Sequence, residues 1–158
     1  MLMRRLVVIV LAILLCEAVG FVGSIFTVKS VNTWYATLQK PSFSPPNWIF
    51  APVWAVLYAL MGIAAALILF RGRNLSSVRT ALILFLVQLV FNAAWSAIFF
   101  GLRAPGPAFF ELIALWILVF VTLWCFVRIS IPAGVLLVPY LLWTTFAAVL
   151  NYSIWRIN

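Results

Sequence analysis

Five stretches, near residues 5–27, 47–70, 78–101, 106–127 and 132–154, are almost continuously apolar. The second and fifth contain no Asp, Glu, Lys or Arg, and the other three carry only Arg5, Glu17, Arg79 and Glu111 between them. A soluble domain has about a quarter of its residues charged; here 8% are charged and 68% hydrophobic. Such a surface cannot be wetted, so the solvent must be lipid. In hydrocarbon every backbone N–H and C=O has to be paired within the chain, which leaves helices or a closed barrel. Each run spans about twenty residues, enough to cross roughly 30 Å of hydrocarbon, and none shows the alternation of a barrel strand. The sequence therefore predicts an all-α fold, an integral membrane bundle of five transmembrane helices forming a single domain over residues 1–158.

The opening, MLMRRLVVIVLAILLC, mimics a secretory leader. Its apolar run continues past Cys16 to about Val28, however, and Leu14 and Leu15 stand where a cleavage site needs small residues. A retained first span is the expectation. The formal charge of +8 comes from ten basic residues against two acids. The basic residues are scattered singly through short connectors, the pattern of loops facing anionic headgroups rather than nucleic acid. Arg4, Arg5, Arg71, Arg73, Arg79 and Arg128 fall on the N-terminal side and Lys29, Lys40, Arg103 and Arg156 on the other, which predicts a cytoplasmic N-terminus. Cys16 and Cys125 both lie in apolar stretches and read as packed free thiols.

Three connectors are short; the first, residues 28–46, is not. Loops longer than about 12–15 residues in a compact domain are functional or disordered, and Trp34, Tyr35, Leu38 and Phe43 argue for order. It is expected to be a structured lid between the first two spans. Ser44-Pro45 reads as the start of the second helix, serine at the cap and proline at the first helical position.

Helical spacing places Trp54, Tyr58 and Met61 on one face of the second span, next to a bend expected at Pro52. Asn92, Trp95, Ser96 and Phe99 share a face of the third, and Tyr140, Trp143, Ala147 and Asn151 a face of the fifth. From the helical rise, Trp54, Asn92 and Trp143 lie about 10, 13 and 16 Å from the loop side of the membrane. Aromatic and amide groups from three helices thus fall at similar depth under one cover, as a cavity for a flat apolar ligand requires. Trp34, Trp48, Trp116 and Trp155 read as interfacial or packing residues. Asn92 and Asn151 must face inward, as cavity groups or as interhelical hydrogen-bond donors and acceptors.

Glu17, near mid-membrane with Gly20 and Ser24 on its face, is a functional candidate because an intramembrane carboxylate is costly. Glu111, early in the fourth span, reads as a structural acid near a helix N-terminus. Ala93, Ala97 and Gly101 form a small-residue stripe, a dimer face or internal packing. The chain contains no histidine, no carboxylate pair, no Ser/His/Asp set and no cluster with metal-ligand spacing. No metal or cofactor is expected, and a haem held by an axial histidine is excluded.

Four ordered blocks carry a family resemblance: FVGSIF at Phe21–Phe26, WYATLQKPSFSPPNW at Trp34–Trp48 with VWAVLYALMG at Val53–Gly62, FNAAWSAIFFGLR at Phe91–Arg103, and PYLLWTTFAAVLNYSIWRIN at Pro139–Asn158. The chain resembles the translocator protein family, the tryptophan-rich sensory proteins of bacteria and the benzodiazepine-receptor-like proteins of mitochondria. The resemblance implies a five-helix membrane bundle, often dimeric, that binds porphyrins and synthetic benzodiazepine-site ligands. It carries the ligand pocket onto Tyr35, Pro45, Trp54, Tyr58, Asn92, Trp95, Trp143, Ala147 and Leu150. A tetrapyrrole would be held by packing and by cations near its acid groups, with Lys29, Lys40 and Arg103 on the lid side. Light- or redox-dependent porphyrin degradation, with Trp54 and Trp143 as redox-active aromatics, is the alternative it implies, and sterol or lipid transport is another. The sterol motif of the animal proteins has a counterpart in Leu150, Tyr152 and Arg156. The lack of histidine, the presence of Glu17 and the absence of a basic tail favour a prokaryotic member in a bacterial or archaeal cell membrane, rather than the mitochondrial outer membrane of a eukaryotic one.

Overall fold

The computed structural model describes residues 2–71 and 74–158; Gly72 and Arg73, used above in counting connectors and charge, lie outside it. Its elements in order are α1 (Leu2–Val31), α2 (Trp34–Thr37), α3 (Asn47–Arg71), α4 (Leu75–Ser96) continuing through a π-helical turn at Ala97–Gly101, α5 (Pro105–Ile129), α6 (Ile131–Val135) and α7 (Val138–Ile157). The described residues form no strand. Five helical segments are long and apolar enough to cross a membrane: α1, α3, α4 with its π turn, α5, and α6 with α7. The five-span reading holds.

Local chemistry sets the helix ends. Asn74 caps α4, its side-chain oxygen accepting from the backbone N–H of Ser76 at 2.9 Å and Ser77 at 3.2 Å, so two otherwise orphaned donors are satisfied. Prolines open α5 and α6 and stand in the first turn of α7, where a missing N–H does no harm.

The first connector is shorter than expected. Helix α1 runs on through Lys29 to Val31, and Thr33 closes it: its hydroxyl donates to Lys29 O at 3.1 Å and its N–H to Ser30 O at 3.2 Å. The predicted lid of residues 28–46 is thus residues 32–46, and it contains the one-turn helix α2. The second helix also begins later than Ser44-Pro45 suggests, at Asn47, with Ile49 N–H bonded to Pro46 O at 3.0 Å. A residue that precedes proline is driven out of the α region. Two successive prolines therefore hold Ser44 and Pro45 out of the helix.

Packing divides the interior in two. Met61, Ala64, Ile68, Ala81, Leu89 and Phe126 belong to a core on the N-terminal side of the bundle. Here α1 and α3 touch at Gly62, where a Cβ would lie 2.5 Å from the Cα of Ile13. At the connector end a smaller cluster gathers Tyr35, Phe99, Phe100, Leu150 and Ile154. Phe21 and Val28 on α1 stay exposed, by 70% and 71%, and border the space between the two clusters.

The π turn at Ala97–Gly101 was not predicted. It shifts the ladder by one residue, Leu102 N–H reaching Ala97 O at 2.9 Å. The Ser30 hydroxyl, arriving from α1, donates to Phe100 O at 2.7 Å. Arg103 then adopts φ 53°, the left-handed geometry that ends a helix.

Candidate functional site

Between the two packed clusters lies a cavity of about 590 Å³. One strip of α1, from Glu17 through Gly20 and Ser24 to Val31, forms a wall. Facing it is α3, from Asn47 and Phe50 through Trp54 to Tyr58. Asn92, Trp95 and Phe99 come from α4 and its π turn, and Trp143, Ala147, Leu150 and Asn151 from α7. Tyr35 of α2 reaches in from the connector.

Eight of the nine residues assigned to a ligand pocket line this space: Tyr35, Trp54, Tyr58, Asn92, Trp95, Trp143, Ala147 and Leu150. Pro45 is not among the lining residues; it is held in the connector before α3 begins. Phe50 was missed, although it lies one helical turn before Trp54 and its ring meets Trp143 at 5.9 Å. Trp48, read as interfacial, is 72% exposed and also borders the cavity.

Aromatic contacts hold the walls. Trp54 stacks on Tyr58 with ring centroids 5.5 Å apart and meets Tyr140 edge-on at 6.1 Å. Trp95 stacks on Phe99 at 5.2 Å, and Tyr35 packs edge-on to Phe99 and Phe100. Gly20 matters here because any Cβ would enter the Tyr58 ring; only glycine lets that ring lie against α1.

Both inward asparagines line the cavity and also join helices. Tyr58 donates its hydroxyl hydrogen to Asn92 Oδ1, the Asn92 amide donates to Tyr140 at 2.9 Å, and Tyr140 donates to Gln88 Oε1 at 2.9 Å. All four side chains are buried, and the chain of bonds ties α3, α4 and α7. Asn151 accepts from the Trp95 indole N–H at 3.0 Å and donates to Pro105 O at 2.7 Å, joining α4, α7 and the start of α5.

The cover is latched. Gln39 N–H donates to Asn158 Oδ1 at 2.9 Å, and Asn158 Nδ2 returns a bond to Gln39 O at 3.0 Å. Phe43 leans on Phe146 of α7 at 6.4 Å. Burial pushes the Tyr35 phenol above its ordinary range, so it remains an uncharged wall residue.

Charge is arranged differently from the expectation. Lys29, Lys40 and Arg103 do not line the cavity. Lys40 sits over the Tyr35 ring at 4.5 Å. Lys29 and Arg103 border a separate cleft of about 480 Å³ beside Phe26 and the π turn. Among the described residues, the one ionisable side chain of Asp, Glu, Lys or Arg type lining the main cavity is Glu17. Glu111 stays outside it, the seventh residue of α5 and so in its second turn, with both carboxylate oxygens buried and without a hydrogen-bond partner among the described residues. The helix N-terminus therefore does not account for it.

Other expectations separate in space. Leu150 is buried against the cavity, whereas Tyr152 packs on Phe109 of α5 at 5.2 Å and Arg156 is exposed; Leu150, Tyr152 and Arg156 do not form one surface. In the small-residue stripe, a Cβ on Gly101 would lie 2.9 Å from the Phe26 ring, and Ala97 borders the same cleft. That end of the stripe packs against α1 of the same chain, while Ala93 is half-buried. Cys16 is buried, Cys125 half-buried, and both are free thiols. No group of residues among those described could hold a metal ion.

Residues 12–156 match the model of the TspO/MBR family. The chain belongs to the TspO/MBR family. The tryptophan-rich protein TspO of Chlorobaculum tepidum is 44% identical over 155 residues, which cover 98% of each chain. The protein of the same name from Archaeoglobus fulgidus is 43% identical over 98% of this chain and 97% of its own. The human translocator protein is 40% identical over 87% of this chain and 82% of its own. With five spans and this relationship, the chain is a multi-pass membrane protein of the TspO/MBR family.

Proposed function

We propose that this TspO/MBR protein is a membrane receptor or carrier that takes porphyrin-like tetrapyrroles, and flat apolar compounds of the benzodiazepine-site type, into its tryptophan-walled cavity. The observation that carries the reading is the cavity itself: about 590 Å³, with Trp54, Trp95 and Trp143 in its walls and Asn92 and Asn151 among its amides. Ligand pockets occupy roughly 300–1,000 Å³ and combine mostly apolar walls with a few fixed polar groups. The names of relatives, a tryptophan-rich sensory protein and translocator proteins, support sensing or transport. Bacterial and archaeal relatives support a prokaryotic cell membrane.

A second reading, light- or redox-dependent breakdown of the bound porphyrin, draws support from the contiguous Trp54, Tyr58 and Tyr140 rings, because an oxidised indole would have phenols beside it. Sterol or lipid binding through Leu150, Tyr152 and Arg156 draws less, since Leu150 is buried against the cavity while Tyr152 and Arg156 are exposed. Pairing of two copies through Ala93, Ala97 and Gly101 rests on the resemblance and on the small side chains at Ala93 and Ala97.

The test is a titration of the protein in lipid nanodiscs with protoporphyrin, read as quenching of tryptophan emission. The midpoint rather than the amplitude is the readout, because eight tryptophans contribute to the signal. Trp54→Ala and Trp143→Ala should each raise the midpoint about tenfold, equivalent to roughly 1.4 kcal/mol of lost contact. Unchanged midpoints in both variants would remove the cavity reading. Illumination of the complex separates the two functions: a new pigment band supports breakdown, and an unchanged porphyrin spectrum rejects it.

A further inference from the structure

The inner end of the cavity is defined by the deepest lining residue of each wall: Glu17 on α1, Tyr58 on α3 and Asn92 on α4. Glu17 is the sixteenth residue of the thirty in α1, about 22 Å along its axis from Leu2, and thus near mid-membrane. The neutral polar groups beside it are already engaged, Tyr58 with Asn92 and Asn92 with Tyr140. Among the described residues no lysine or arginine borders the cavity. What remains for a ligand at this depth is one carboxylate next to the stacked rings of Trp54 and Tyr58.

A carboxylate beside aromatic faces, with no cation present, is the environment that recognises an ammonium group. The ring faces attract a cation through their quadrupoles, more strongly when water is excluded. The carboxylate supplies a charge-assisted hydrogen bond. The pairing is reciprocal: an ionised carboxylate is expensive at this depth unless it has a partner, and a bound protonated nitrogen is that partner. Anionic groups are disfavoured at the same end, so any acid groups of a ligand must lie toward the mouth.

We propose that Glu17 makes the inner end of the cavity a receptor for a protonated nitrogen, so that the cavity prefers flat apolar molecules carrying an ammonium group over uncharged molecules of the same shape. This rests on the cavity reading above and adds to it the charge that the ligand presents. Glu17 is then a specificity-determining residue, and the aromatic walls supply affinity for the flat body.

The test uses two probes of matched shape, N,N-dimethyl-1-pyrenemethylamine and 1-isobutylpyrene, titrated into the protein in nanodiscs of one zwitterionic lipid. The readout is the ratio of the two midpoints, in which partitioning into lipid cancels between variants. In the unaltered chain the amine should bind more tightly by about tenfold or more, the range of a hydrogen bond to a charged group. Glu17→Gln should bring that ratio down to the value set by lipid partitioning, and Glu17→Asp, which keeps the charge, should retain part of it. An unchanged ratio in Glu17→Gln overturns the assignment even though binding of the neutral probe upholds the cavity. Failure of both probes to quench the unaltered chain overturns the cavity and this assignment with it.

Discussion

Removing one oxygen atom, by Tyr140→Phe, tests the buried polar chain that joins three helices. The Tyr140 hydroxyl accepts from the Asn92 amide and donates to Gln88 Oε1, both at 2.9 Å. Its ring is 1% exposed and meets Trp54 edge-on at 6.1 Å; phenylalanine keeps that ring, so the cavity wall stays in place and only the hydrogen bonds are lost. Interhelical hydrogen bonds in membranes average about 0.6 kcal/mol and reach about 1.7. Two are lost here, and a stranded buried donor or acceptor adds its own penalty. The expected loss is about 1–3 kcal/mol. Tyr58→Phe breaks only the bond to Asn92 Oδ1 and should cost less, about 0.5–1.5 kcal/mol.

The assay is reversible unfolding in mixed micelles, monitored by far-UV circular dichroism, for both single variants and for the Gln88→Leu, Tyr140→Phe pair. In the Tyr140→Phe chain Gln88 Oε1 has already lost the hydroxyl that donates to it, so replacing Gln88 removes no bond to Tyr140 there. Gln88→Leu should therefore destabilise the unaltered chain more than the Tyr140→Phe chain, with a coupling of about 0.5–1.5 kcal/mol. The reasoning is refuted if Tyr140→Phe is as stable as the unaltered chain, or if Tyr58→Phe proves the more damaging of the two.

Gly62→Ala should destabilise the bundle by about 1–3 kcal/mol, because the added methyl meets the backbone of Ile13 at 2.5 Å and backbone cannot rotate away; thermal unfolding that matches the unaltered chain would show that α1 and α3 have room there. Glu111→Met should raise stability by about 1–3 kcal/mol, since it replaces a carboxylate whose buried oxygens have no partner with an apolar side chain of similar length; a lower unfolding midpoint would reveal a partner that the structure does not display. Ala97→Leu should shift a two-copy assembly toward single chains in nanodiscs if the small-residue stripe pairs copies, and an unchanged mass distribution would reject that role.

The number of spans was legible because apolar run length is a one-dimensional property: a bilayer imposes about twenty residues whatever the neighbours do. The cavity walls were legible nearly as well. Trp54 and Tyr58, Asn92 and Trp95, and Trp143 and Ala147 repeat at helical spacing, and their depths follow from the rise alone. What escaped depends on contacts between helices. Nothing local to Ala97–Gly101 announces a π turn; Ser30, distant in sequence, supplies the hydroxyl that meets Phe100 O. Likewise the partners of Asn92 could not be assigned from α4, because Tyr140 belongs to α7 and its hydroxyl is placed by the packing of another helix. The connector was overestimated because Lys29 and Ser30 look polar enough to end a span, whereas Thr33 closes the helix only after Val31.

The placement of charge is the step at which sequence position and spatial position diverge most. Counted along the chain, basic residues surround the cover, Glu17 stands alone within the first span and Glu111 looks structural. In space, Lys40 is held over Tyr35, Lys29 and Arg103 border another cleft, and an acid faces the ligand space. A helix end can send a long basic side chain to either side of the bundle, so its position in the sequence does not fix which space it borders. Glu17 has less choice: one turn below Gly20, on the strip of α1 that faces Tyr58, it lines the cavity. That asymmetry makes the sign of the ligand's charge, rather than its aromatic body, the property by which this cavity can discriminate, because π faces of indole and phenol accept any flat ring whereas a single carboxylate in a low-dielectric site does not accept every charge.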